Sequence, residues 1–169
     1  SSAGPIHVRT ADGSFSIEGE GFLWLQETSV LFISNRVHTI VLPDLASKEA
    51  ARGQNQPAPT PPSSPQTATN RVEVFSREFE FQADSGEGVY QGDIRVVGEN
   101  FNLTSERLLV LLPIQERRLD HVTAQTNVVI DYKLGEEALH ATGERAEYAV
   151  ATGLARLTGN PTWSAQQRE

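Results

Sequence analysis

The side chains best able to ligate a metal or move a proton are His7, His38, His121 and His140, and they are scattered along the chain. No HxH or HExxH spacing links them and the chain has no cysteine, so neither a metal site nor a cofactor is expected. Carboxylates stand in pairs at Glu18 and Glu20 ("GEGE") and at Glu136 and Glu137 ("GEE"). Glycosidase carboxylates must face one another across a cleft, whereas these are sequence neighbours in turn-like contexts. No GxSxG supplies a nucleophile. "GEGVYQG" lacks the lysine and following helix of a phosphate loop, and "NLT" at Asn102 fits a glycosylation sequon and nothing catalytic. No catalytic residue emerges, and the chain is read as a non-enzyme.

Composition narrows the remaining classes. The 169 residues suffice for one packed domain, or for one extended domain interrupted by an insertion. A net charge of −8 argues against nucleic acid, since phosphate binding needs clustered cations and the only adjacent basic pair is Arg117-Arg118. With no run of about 18 apolar residues, no membrane-spanning helix is expected. The start "SSAGPIHV" without methionine reads as a processed or trimmed fragment, compatible with a removed signal or anchor.

The elements that must carry any function are strands. In "VYQGDIRVV", Tyr90, Gly92, Ile94 and Val96 share one face; in "HVTAQTNVVIDY", Val122, Ala124, Thr126, Val128, Ile130 and Tyr132 do the same; a third run holds Ala155, Leu157, Gly159, Pro161 and Trp163. "TSERLLVLLP" fits a strand as well as a short helix. Turns at "ADG", "ADSGEG", "KLGEE" and "ATG" suit a meandering all-β protein. Between Asp44 and Asn70 the composition shifts, with five of nine prolines between Pro57 and Pro65. That segment buries too little apolar surface to offset its ordering entropy and is read as a linker or insertion. The organisation expected is therefore 1–43, N-terminal hairpins; 44–70, linker; 71–169, the main strand repeats.

A small residue, then Asn or Asp, then an apolar strand recurs in "QGDIRVV", "QTNVVIDY" and "TGNPTW", with Asp93, Asn127 and Asn160 separated by 34 and 33 positions. "SNRVHTIV" is a looser copy with Arg36 in the Asn/Asp place, putting Leu31, Ile33, Val37, Thr39 and Val41 on one face. Each copy follows an aromatic strand, as in "GEGFLWLQETSVLFISN", "SREFEFQADSGEGVYQGD" and "GERAEYAVATGLARLTGN", so each unit reads as a hairpin. Gly and Asn suit positive φ or a bulge where a strand passes a corner. A lone hairpin cannot bury its apolar face, so the units must stack.

"SREFEFQADSGEGVYQGDIRVVGENFNLTSERLLVLLP", followed by "RLDHVTAQTNVVI" and "ATGERAEYAVATGLARLTGNPTW", resembles the OstA-like lipopolysaccharide transport family, over roughly residues 71 to 163 and more loosely 6 to 42. The phrase "IEGEGFLWLQETSVLFISNRVHTIVLP" also resembles the family's LptC-like branch, beside the LptA-like one. The resemblance implies a twisted, open β-jellyroll of stacked antiparallel hairpins, here interrupted by the proline-rich insertion. It implies a periplasmic module, LptA-like or tethered to the inner membrane and LptC-like, that carries lipopolysaccharide acyl chains in an apolar groove. Partners would be other modules of this type joined through edge strands, and a homo-oligomer is one form of that. Pro161 departs from the pattern and implies an edge strand or a bulge.

Exposing a dozen acyl methylenes would cost on the order of 10 kcal/mol, so a carrier needs a continuous apolar trough. Candidate lining residues are Phe22, Trp24, Phe79, Phe81, Tyr90, Ile94, Val96, Phe101, Leu103, Val128, Ile130, Tyr148, Leu157 and Trp163, each of which also suits an ordinary sandwich core. Arg71, Arg77, Arg95, Arg117 and Arg118 are the cations able to meet phosphates at the rim. The alternative of another class is a glycan-binding β-sandwich or structural envelope domain, which calls for exposed coplanar aromatics.

Overall fold

The structure is a computed structural model that describes residues 2–11, 13–42, 71–112, 119–149 and 154–167. Residues 44–70, expected to be a linker or insertion, and Arg117-Arg118 lie outside the described residues. Those described form strands and no helix: β1 (Ser2–Arg9), β2 (Phe15–Leu25), β3 (Val30–Val41), β4 (Val72–Ser76), β5 (Glu78–Gln82), β6 (Glu87–Val97), β7 (Phe101–Leu111), β8 (His121–Leu134), β9 (Glu137–Ala149), β10 (Leu154–Thr158) and β11 (Thr162–Gln167). The stretch "TSERLLVLL" is part of β7. All pair antiparallel in one 11-stranded sheet that follows chain order, with β4 and β5 end to end between β3 and β6, and β10 and β11 end to end along β9. Because β3 pairs with both β4 and β5, strands on either side of the linker share the sheet.

The long strands turn a corner midway, dividing the sheet into two limbs. In one limb, Ile33, Phe79, Tyr90, Leu108, Ala124, Ala146 and Leu157 are successive cross-strand partners; in the other, Ile17, Thr39, Val74, Val96, Leu103, Ile130, Ala141 and Trp163 are. Directly opposed residues share a face, so each row lies on one side of the sheet. Residues of both rows meet in a single buried cluster, which folds that side inward and makes the architecture the all-β jellyroll expected.

The corners explain the repeat. In each returning strand an inward residue is followed four positions later by the next: Ile33 and Val37, Tyr90 and Ile94, Ala124 and Val128, Leu157 and Pro161. The residue before the second of each pair holds positive φ: Arg36 at 50°, Asp93 at 48°, Asn127 at 51° and Asn160 at 49°. Asn and Asp enter this left-handed region at lower cost than most side chains, which is why they recur. Outgoing strands behave differently, for there the inward spacing at the corner is three: Gly19 to Phe22, Ser76 to Phe79, Ser105 to Leu108 and Gly143 to Ala146. Two neighbouring residues then point outward, and the partner strand carries the extra residue of a bulge.

Small residues occupy the inner position of these corners because the backbones crowd there. A Cβ on Gly143 would sit 2.9 Å from Leu157 Cδ1 and 3.0 Å from the Thr158 carbonyl. Where the position is serine, its hydroxyl satisfies a carbonyl freed by the broken ladder: Ser76 Oγ donates to Glu78 O at 2.9 Å and Ser105 Oγ to Arg107 O at 3.2 Å. Outside the corner, Arg36 pairs with Glu20 at 3.0 Å, Asp93 with Arg77, and Asn127 Nδ2 donates to Glu106 at 3.4 Å. Each tie crosses to the outgoing strand of the same hairpin or its neighbour.

If the corner conformation sets the fold, Asn127→Val, which forces a β-branched side chain into positive φ, destabilises the protein by about 1–3 kcal/mol. Asn127→Gly stays within about 1 kcal/mol of the parent. Urea unfolding midpoints check this, and equal tolerance of Val and Gly would contradict it.

Candidate functional site

Register places every groove candidate on the inward face. Besides the two rows above, Trp24, Leu31, Phe81, Gly88, Val110, Val122 and Tyr148 are successive partners, and Phe22 opposes Ile33. Phe101 faces Tyr132, which faces Leu139, while Ile94 and Val128 sit just past their corners. The same face contains residues the sequence did not single out, including Ile17, Leu108, Leu139, Ala141 and Ala146.

Exposure is uneven along this face. In the middle strands Phe79, Tyr90, Ile94, Val96 and Val128 are buried in the core, with Phe81, Phe101, Leu103, Ile130 and Leu157 packed half-buried against it. Toward the last strands the face opens, with Tyr148 44% and Trp163 78% exposed; at the first strands Trp24 is 47% exposed. The last hairpin pairs an alanine with a large side chain at each inward position: Ala141 with Trp163, Ala146 with Leu157 and Ala155 with Tyr148. At about 25 cal/mol per Å², this exposed aromatic surface is driven to find an apolar cover.

Among the described residues no group of His, Asp and Glu is placed to hold a metal ion, and no helix is long and apolar enough to cross a membrane. The rim cations among the described residues are engaged. Arg71 Nε lies 3.1 Å from Glu73, Arg77 pairs with Asp93, and Arg95 lies 5.0 Å over the Phe75 ring on the outer face. A phosphate at Arg71 or Arg77 would have to displace a carboxylate.

Beside Arg95, the outer face holds a feature no periodicity signals. His7, Glu18, His38, Phe75 and Arg95 stand opposite one another across five strands. His38 stacks on Phe75 with ring centroids 4.5 Å apart, its Nδ1 3.0 Å from Glu18 and its Nε2 2.7 Å from Glu73. His38 thus bridges the two carboxyl groups. The His38 hydrogen bond is the main reason both carboxyls are held below their ordinary value of 4.5. The carboxylates thereby tie β2 and β4 to β3.

A family model described as LptA/(LptD N-terminal domain) LPS transport protein matches residues 73–169, from β4 through β11. No match was found among curated protein sequences.

Lowered carboxyl pKa values in the folded state contribute stability that is complete above the ordinary value and is lost as pH falls through the lowered ones. The thermal midpoint should therefore drop on acidification below about pH 4.5, and His38→Gln should flatten that drop. An unchanged acid profile in His38→Gln would remove His38 as its source.

Proposed function

The chain belongs to the family of LptA and LptD N-terminal-domain lipopolysaccharide transport proteins, and from that membership we propose that it is a periplasmic carrier module. Residues 1–43 and 71–169 act together, with 44–70 as a linker. The module shields lipopolysaccharide acyl chains between the limbs of its bent sheet and hands them on by contact with like modules. The observation that carries this reading is the register: the large apolar side chains of successive strands fall on one inward face that is open at its ends. An acyl chain laid there gains about 0.8 kcal/mol per buried methylene with no chemistry required. A net charge of −8 is consistent with recognition through the acyl part, leaving phosphates to local exchange at Arg71, Arg77, Arg95 or Arg117-Arg118.

Handover would use the sheet's two ends. Among the described residues β1 pairs with β2 alone, and β10 and β11 with β9 alone, so each end offers a strand edge to which another module can add. Pro161, between β10 and β11, occupies the inward position held by Val37, Ile94 and Val128 and has no N–H to offer, so addition at this edge divides into two short stretches. The second reading, an LptC-like anchored subunit, draws on the first three strands, which carry the LptC-like phrase and lie outside the matched range.

Photo-crosslinking side chains placed at Leu157 or Trp163 should yield lipopolysaccharide adducts, and those at Arg156 or Ser164, on the opposite face of the same strands, should not. Adducts from outer positions alone, or binding indifferent to acyl chains, would favour a glycan-binding or structural domain instead. Sedimentation should show association that grows with concentration; a monomer at every concentration would remove the end-to-end part.

A further inference from the structure

By its register β1 is a returning strand. Its Ser2 and Ile6, four positions apart, oppose Phe22 and Gly19 of β2, three apart, which is how every other returning strand meets its outgoing neighbour. That corner is poorly made: the place that Arg36, Asp93, Asn127 and Asn160 hold at positive φ belongs here to Pro5, whose ring keeps φ at about −65°. β1 also buries little, since Ile6 is half-buried whereas Ala3, Pro5, His7, Val8 and Arg9 are exposed. Among the described residues its pairing reaches no further than Phe22, and Leu23, Trp24 and Leu25 of β2, 39–47% exposed, lack a partner on that side.

Strand direction bears on how this edge meets a second copy. β1 runs from the Ile33 limb to the Ile17 limb, and so do β10 and β11. Two copies joined limb to limb, with their inner faces continuous, would therefore set β10 and β11 parallel to β1, returning strand beside returning strand. Every pairing within the sheet is antiparallel and sets a returning strand on an outgoing one. We propose that β1 is a displaceable strand: when two copies join, β10 and β11 of one pair antiparallel with β2 of the other, in the place that β1 gives up. This rests on the end-to-end reading above. β2 carries Gly19 at its corner as β9 carries Gly143, and superposing the two registers puts Leu157 opposite Phe22, Ala155 opposite Trp24 and Trp163 opposite Ile17. Both inward rows then run unbroken from one copy to the next, Asn160 replaces Pro5 at the corner, and Trp163, 78% exposed in the single copy, gains a neighbouring strand. The reverse exchange, β1 onto β9 in place of β10 and β11, would instead bring Pro5 to a corner that Asn160 already makes.

The chain has no cysteine, so introduced thiols are the only ones present. His7→Cys/Glu18→Cys sets two thiols on directly opposed residues of β1 and β2, and their disulfide holds β1 in place. In sedimentation the oxidised form of this variant should associate several-fold more weakly than its reduced form; equal association of the two forms overturns displacement. Mixtures of single variants, one isotope-labelled, identify the strand that is met. Thr162→Cys should cross-link to Glu18→Cys, which it opposes in the exchanged pairing, in preference to His7→Cys. Preference for His7→Cys means addition onto an intact β1 and overturns the proposal, and this comparison decides alone if the reduced double variant fails to fold or to associate. A parent chain that is monomeric at every concentration removes the end-to-end reading itself, and displacement with it.

Discussion

A strand that serves two layers must turn a corner without exchanging its faces, and the rest of this structure depends on how that turn is made. Returning strands solve it with left-handed residues at Arg36, Asp93, Asn127 and Asn160, whose φ values all lie between 48° and 51°, the last three each preceded by a second one, Gly92, Thr126 and Gly159. Outgoing strands solve it by shortening the inward spacing to three and placing Gly or Ser on the inside. The two solutions lie side by side in each hairpin, so the corners align across the sheet and the limbs close on a shared interior. The 34- and 33-residue spacings between corner residues are the lengths of one outgoing strand, one returning strand and their turns.

Once the limbs close, the distribution of side-chain size decides where the interior is solid. Ile33, Tyr90, Leu108 and Val128 fill the middle, whereas the last strands pair Ala141, Ala146 and Ala155 with Trp163, Leu157 and Tyr148 and leave Trp163 in solvent. A transport protein needs both conditions at once. The filled part holds the fold together, and the open part leaves apolar surface exposed. The outer face adds cohesion where the sheet is interrupted in sequence, since His38 joins Glu18 and Glu73 across β2, β3 and β4.

Much of this was legible in the sequence because the returning strands keep their phase. Tyr90, Ile94 and Val96, or Ala124, Val128 and Ile130, alternate straight through the corner, and the Asn or Asp marks it. The outgoing strands change phase at theirs, so Ser105, Leu108 and Val110 read as helix nearly as well as strand. That same phase change hid Ala146 and Leu108 as inward residues. The groove candidates fall on one face by register, yet which of them face solvent was not legible, because exposure depends on how far each strand lies from the sheet's ends. The His38 cluster and the buried hydrogen bond from Tyr90 to Thr39 were invisible for a related reason. Their partners are 20, 35 and 51 positions apart and are brought together only by pairing and closure.

In the proposed function, the corners fold one face of the sheet inward to receive acyl chains at its open end. The most direct measurement is methyl NMR of the protein with lipopolysaccharide, looking for intermolecular contacts between acyl protons and individual side chains. Contacts to Val122, Leu139 and Leu157, on the inward face, are expected, with none to Leu109, Val129 or Leu154 on the outer face. Acyl contacts confined to the outer set would contradict it.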